Sequence, residues 1–376
     1  MASSPLLELQ AQGQSVWQDY IRRDQNLSGE LKRLIERDAL RGQTSNPTYF
    51  KQAIADSGNY DDAIAALVRD GADVHTIYET LAIEDIQAAT DLFRPAYDSL
   101  NAADGFVSLE VSPELAHDTD ATIAEARRLF AAVDRPNVMI KVPGTPAGVP
   151  AIEQLISEGI NVNVTLLFSL EAYERAANAY IAGMERYAAS HDDLTRPASV
   201  ASFFLSRVDT LVDKKLEAVP AERAASLRGK AAVAQGKLAY QRFKSIFNTP
   251  RFDALRAKGA RVQRPLWAST GTKNPAYSDV MYVEPLIGPD TVNTMPPATI
   301  EAFRDHGRVH PTIEEGVDEA RATLAALEEV GVSMDAVTGQ LLEDGVRIFA
   351  EAYRDLLAGI ESRRSAIAAS PAGGRP

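Results

Sequence analysis

The sequence predicts an α/β protein, a single (β/α)8 TIM barrel with extra helices and insertions near its C-terminal end. Three observations predict it. Eight short β-branched or apolar segments alternate with helical stretches, a pattern that gives parallel strands joined by right-handed crossovers. No G-x-G-x-x-G turn follows any of these segments, which weighs against an open doubly wound sheet, the rival architecture. Most of the segments also carry a polar residue inside or at the end, and in a barrel such residues converge on one pocket at the C-terminal mouth.

In chain order, strand one is Ser15 to Asp19, and a helix capped by Ser28 follows to Leu40. Strand two runs from Gly42 to Asn46 and breaks at Pro47, which opens the next helix. Helical stretches are read at Pro47 to Asp56, Tyr60 to Asp70 and Val74 to Asn101, and strand three is Gly105 to Val111. From Asp118 to Val133, Ile123, Ala126, Leu129, Phe130 and Val133 share one helical face. Strand four, Asn137 to Pro143, carries Lys141, and Thr145 opens a helix that Gly159 ends. Ile160 to Phe168 is strand five, followed by a helix capped by Ser169 that runs to about Ser190. Ala198 to Phe204 is strand six, and a long helical region interrupted near Pro220 follows it to about Phe252. Strands seven and eight are read at Val262 to Ser269 and at Asp279 to Glu284. Pro296 to Phe303, Pro311 to Glu328 and Met334 to Ala358 read as helices. The barrel domain is taken as 1–364, with Ser365 to Pro376, small and polar, as a flexible tail.

The chain has 376 residues, 45% of them hydrophobic and 24% charged, the composition of a soluble globular protein. Without cysteine it can form no disulfide, no thiolate nucleophile and no cysteine-ligated metal site. A net charge of -13 argues against nucleic acid and anionic membranes as partners. It also means that an anionic substrate must be held by a local cationic patch. Met1 to Gly13 lacks the basic and apolar regions of a signal peptide, and no stretch approaches the roughly 18 apolar residues of a membrane span. A cytoplasmic enzyme, monomeric or a homodimer, is the expectation.

The residue that organises the reading is Lys141. A strand buried on both faces is a costly place for an ammonium, which must be paired or lose its proton. A neutral lysine is a nucleophile whose natural partner is a carbonyl, and the resulting iminium is an electron sink that lets an adjacent C–C bond break. The alternative is a structural ion pair with Glu110. Asp19 and Glu110 are the strand-borne carboxylates suited to moving protons. Asn46, Asn163, Thr165 and Ser202 are neutral hydrogen-bonding groups suited to sugar hydroxyls. Arg207, Ser269 and Lys273, with a helix N-terminus, suit a phosphate. For Arg207 the bland reading is a surface salt bridge with Asp209 or Asp213, and for each of the others it is a turn or capping group.

Placed together, Thr44-Ser-Asn-Pro47, Ser108-Leu-Glu-Val111, Met139-Ile-Lys-Val-Pro143, the block from Gly159 to Ser169 and the block from Ser199 to Asp209 resemble the transaldolase family. The resemblance runs from Asp19 to about Glu284. It implies a lysine Schiff-base barrel of the pentose phosphate pathway that acts on sugar phosphates without metal or cofactor. By the same resemblance Lys141 forms the imine with a dihydroxyacetone unit, and Glu110 and Thr165 hold a catalytic water. Asp19 serves the C4 hydroxyl, Asn46, Asn163 and Ser202 bind substrate hydroxyls, Phe204 lines the pocket, and Arg207 and Ser269 bind phosphate. One departure follows strand seven. The family's second phosphate arginine is replaced by Gly271, which leaves Lys273 as the nearest cation. The stretches Lys214 to Arg256 and Pro285 to Arg308 read as insertions over the pocket mouth.

Overall fold

The computed structural model describes residues 4–55 and 57–369. Eight parallel strands close a barrel in sequence order, with β1 pairing both β2 and β8. They are β1 (Gln14–Asp19), β2 (Leu40–Thr44), β3 (Phe106–Glu110), β4 (Val138–Pro143), β5 (Val162–Leu167), β6 (Ser199–Phe204), β7 (Arg264–Ala268) and β8 (Thr291–Met295). Every residue of β3, β4, β5 and β6 is buried, as strands covered by helices outside and filled by side chains inside must be. Gly42 belongs to that packing. A Cβ there would lie 2.5 Å from the Trp17 ring, which fills the space.

The expected strand eight is not a strand. Residues 279–286 form turns and a short 3-10 helix, Glu284–Leu286, that buries Val280, Tyr282 and Val283. The true β8 is T-V-N-T-M, whose Thr291, Asn293 and Thr294 are buried polar residues. It hides from a hydrophobicity pattern because its side chains are hydrogen-bonded inside. Asn293 Nδ2 donates to the Tyr282 carbonyl, and Thr294 Oγ1 meets Thr44 Oγ1. Pro285 to Arg308 is therefore not an insertion, since it holds β8 and the helix Pro297–His306.

Smaller differences have local causes. The helix expected from Ser28 to Leu40 is shorter, Glu30–Arg37, capped not by Ser28 but by Gly29 in a left-handed φ of 79°; a separate helix, Arg23–Leu27, precedes it, and Leu40 begins β2. Thr145 accepts the Gly148 amide at 3.0 Å from a turn ahead of the helix, which runs Gly148–Ser157 with Ala147 at its N-cap. The last helix, Met334–Ala369, continues past Ser365, and the rest of the expected tail lies outside the described residues. This helix packs across Pro47–Phe50, Val74–Ser99 and Ser206–Leu216. Gly345 lets it approach β5, since a Cβ there would meet Leu166 at 3.0 Å.

The long region after β6 is four helices: Ser206–Leu216, Ala221–Ala225, Ala231–Phe247 and Pro250–Arg256. Asp209 fastens the first to the third by accepting the Ala232 amide at 2.9 Å, and it accepts the Tyr282 hydroxyl at 3.0 Å. Burial outweighs those two hydrogen bonds and pushes its pKa from 3.8 to about 6. Between these values the folded chain keeps a proton that the unfolded chain has released. Stability therefore falls as pH rises through that window and stays lower above it. Asp209→Asn keeps an acceptor for Ala232 and removes the buried charge. It is expected to raise the unfolding free energy above pH 6 by on the order of 2 kcal/mol and to flatten the slope between pH 4 and 6. Urea titrations of both chains across that range check this.

Candidate active site

Strand register assembles the site. Glu110 of β3 is level with Lys141 of β4, and Lys141 is level with Asn163 of β5. Partnered residues of parallel strands point to the same side of the sheet, so three polar side chains stand in one row. Asp19 at the end of β1 is level with Thr44 of β2.

Lys141 is 4% exposed and Glu110 8%. The Lys141 Nζ donates to the Ser45 carbonyl at 2.8 Å and stands 3.3 Å from Glu110 Oε2. That second contact is an ion pair by distance but is not aligned as a hydrogen bond, and neither Glu110 oxygen has a hydrogen-bond partner. The ion pair weighed above thus exists, yet it is not sealed. Lys141 lines a cavity of about 290 Å³ at the C-terminal mouth, together with Asp19, Asn46, Thr165, Ser202 and Arg207. Phe204, Ser269 and Lys273 line it too. Glu110 and Asn163 do not, and reach the cavity through their neighbours. Ser202 Oγ, for example, donates to Asn163 Oδ1 at 2.7 Å, and Asn163 Nδ2 donates to Ser108 Oγ at 3.0 Å.

Both carboxyls are held above their ordinary range. For Glu110 and for Asp19 burial is the largest cause, and the charge of Lys141 opposes it. Asp19 is open to the cavity yet walled by protein on its other sides. It accepts Thr44 Oγ1 at 2.7 Å and interacts with the Tyr49 hydroxyl. A carboxyl in this state takes up and returns a proton more readily than an exposed one.

Backbone strain marks two strand ends. Leu166, beside Thr165, has φ 59°, and the β5–β6 register shifts there. Ser269 has φ 56°, and its Oγ lies 2.8 Å from Ser206 Oγ at the start of the Ser206–Leu216 helix. Left-handed non-glycine residues cluster where a site needs a side chain re-aimed. Asn46 serves as a cap as well, since its Oδ1 accepts the Tyr49 amide, which leaves its Nδ2 for the cavity.

Arg207 is not in a surface salt bridge. Asp209 is engaged as above, and Asp213 binds the Gly229 amide and the Tyr277 hydroxyl. The Arg207 guanidinium lies against Phe204 and Phe349, 5.5 and 5.4 Å from their centroids, with Nη1 buried and unpartnered. Lys273 is exposed at the cavity edge beside Gly271. None of the lining residues comes from 214–256, so that stretch does not cover the pocket. Phe349 of the last helix does so instead.

Several lining residues lie beyond the sequence reading: Thr44, Thr48, Tyr49, Gln52, Thr294 and Phe349. Thr48, Tyr49 and Gln52 follow Asn46-Pro47 by a turn, which was a usable signal. Phe349 had none, because the last helix meets the barrel mouth only in the folded chain. Among the described residues no group of three or more His, Asp or Glu side chains could hold a metal ion, and no helix is long and apolar enough to cross a membrane.

Fold and site together define an enzyme-type (β/α)8 barrel whose pocket is built around a buried amine flanked by carboxyls. Residues 16–360 match the family described as Transaldolase/Fructose-6-phosphate aldolase. The chain is 52% identical over 348 residues to "Transaldolase" of Thiobacillus denitrificans, covering 93% of this chain and 97% of that protein. It is 49% identical over 374 residues to "Transaldolase 2" of Nostoc sp., covering 96% and 98%. It is 49% identical over 356 residues to "Transaldolase 1" of Streptomyces coelicolor, covering 94% and 93%. The chain belongs to the transaldolase/fructose-6-phosphate aldolase family.

Thr44→Val deletes the hydroxyl that favours the ionised Asp19. The Asp19 titration is expected to move to higher pH, carrying the acid limb of the activity profile with it. A pH–rate profile of the variant beside the parent checks the direction.

Proposed function

We propose that this chain catalyses the transaldolase reaction. It transfers a dihydroxyacetone unit from sedoheptulose 7-phosphate to glyceraldehyde 3-phosphate, giving erythrose 4-phosphate and fructose 6-phosphate. The observation that carries this reading is the Lys141 amine, buried beside Glu110 and lining a cavity large enough for a small ligand.

The free amine of Lys141 attacks C2 of the ketose. A proton passes from nitrogen to oxygen, Glu110 protonates the resulting hydroxyl, and it leaves as water, giving an iminium. Glu110 and Thr165 stand on the strands either side of Lys141, each with buried oxygen unpartnered in the protein, and suit a water held between them. Asp19 takes the proton of the C4 hydroxyl as the C3–C4 bond breaks, and the iminium receives the electron pair as an enamine. Asn46 and Ser202 hold the dihydroxyacetone hydroxyls, Asn163 orients Ser202 from behind the wall, and Phe204 walls the pocket. The aldehyde leaves, an acceptor aldehyde takes its place, and the steps run backwards. Arg207, with Ser269, binds the phosphate, and Lys273 adds a point charge at the edge. The chain's own groups supply each of these steps without a cofactor. A cytoplasmic place in the pentose phosphate pathway fits these substrates.

Borohydride added in the presence of fructose 6-phosphate is expected to fix a dihydroxyacetone mass on the peptide bearing Lys141. In Lys141→Arg both this label and activity are expected to be lost, activity on the order of a thousandfold or more, because a guanidinium stays protonated. A label on another peptide, or none, refutes the assignment. Product formation without an added aldehyde would point to an aldolase that releases free dihydroxyacetone. Lys273→Ala is expected to raise KM for fructose 6-phosphate about tenfold with little change in kcat, and Arg207→Ala about a hundredfold or more. Steady-state kinetics separate the two.

A further inference from the structure

Arg207 carries the phosphate assignment, yet no polar group of the protein holds it. Among the described residues its guanidinium makes no hydrogen bond and no ion pair, and Nη1 is buried without a partner. Asp19 and Glu110 reach it only through their charge, which opposes the lowering of its pKa by burial. A long side chain left so free would have rotamer entropy to lose each time it met an anion.

Two rings fix it instead. The guanidinium carbon lies 5.5 Å from the Phe204 centroid and 5.4 Å from that of Phe349. A ring attracts a guanidinium without using its N–H donors, so the arginine is placed and its donors stay available to a ligand. The two rings have separate supports. Phe204 ends β6, and its ring lies 5.2 Å from that of Phe168. Phe349 stands on the last helix, Met334–Ala369, which packs against the helix Ser206–Leu216 that bears Arg207. Gly345 lies one turn before Phe349 on the same helical face. A Cβ there would meet Leu166 at 3.0 Å and Phe168 at 3.5 Å, so the glycine brings the helix, and Phe349 with it, close to the barrel mouth. Phe349 is only 3% exposed, and what it exposes borders the same cavity as Phe204 and Arg207.

We propose that Phe349 is a positioning residue: from the last helix it clamps Arg207 against Phe204 and thereby sets the preference for phosphorylated over unphosphorylated sugars. The inference rests on the phosphate assigned to Arg207 above.

Steady-state kinetics with fructose 6-phosphate and with fructose, beside inhibition by inorganic phosphate, test it. Phe349→Leu keeps an apolar, helix-forming side chain and removes the ring. The ratio of kcat/KM for fructose 6-phosphate to that for fructose is expected to fall about fivefold in this variant, and the inhibition constant of inorganic phosphate to rise about as much. Phe349→Tyr restores a ring face and is expected to return both quantities toward the wild-type values. A ring that only packs the helix would weaken both sugars alike and leave the ratio where it was. If the leucine variant fails to fold, Phe349→Met, whose flexible thioether fills irregular space, takes its place. An unchanged ratio and unchanged phosphate inhibition in the folded leucine or methionine variant, while Arg207→Ala alters both, overturns the role given to Phe349. So does a tyrosine variant that behaves like the leucine one. If Arg207→Ala also leaves both unchanged, the phosphate assignment itself fails, so the two failures are distinct.

Discussion

The contact on which the rest depends is the approach of Glu110 to Lys141, fixed by the register of β3 against β4. A slip of one residue in that pairing would turn one of the two outward and leave the other an unpaired charge in the barrel wall. Removing two ions from water costs more than their attraction alone returns unless geometry and hydrogen bonds are good. Here they are only partly so. The amine donates to the Ser45 carbonyl, while the carboxyl has no hydrogen bond at all. A pair built for stability would close its lone pairs. This one leaves Glu110 with raised proton affinity, and Lys141 lining a cavity. The deficit sits where the proposed imine chemistry would move a proton.

Strands were legible where burial on both faces forced continuous β-branched runs, as in M-I-K-V-P and N-V-T-L-L. The exception, β8, shows what the pattern measures. T-V-N-T-M is as buried as its neighbours, but the side chains of Thr291, Asn293 and Thr294 each hydrogen-bond within the protein. The apolar run at 279–284 buries its side chains too, in turns whose carbonyl at Tyr282 receives Asn293. Apolar periodicity reports burial, and burial does not choose between a strand and a packed turn without the register of a neighbour.

The site divides along the same line. Residues at strand ends were readable because strand order and parallel direction bring them to one mouth, whatever lies between. Asp19, Lys141, Thr165 and Ser202 needed only that topology. Phe349 and Thr294 needed more. The first depends on where a C-terminal helix docks, and the second on a strand whose place was misread. Glu110 and Asn163 were found by sequence yet stand behind the pocket wall, because alternation fixes which way a side chain points but not what stands in front of it.

Arg207 shows how the global charge constrains the local chemistry. A chain of net charge -13 repels sugar phosphates at long range, so attraction must come from cations inside the mouth. A guanidinium so placed would ordinarily be neutralised by one of the many carboxylates nearby. Asp209 and Asp213, the two on its own helix, are instead spent on backbone amides and tyrosine hydroxyls, and burial leaves the Arg207 charge less well solvated than an exposed arginine's. Phe204 and Phe349 hold its plane without satisfying its donors. A cation kept in that condition costs stability in the empty enzyme and recovers it only when an anion arrives, so in the proposed function the affinity for phosphate is stored in a charge the fold declines to pair.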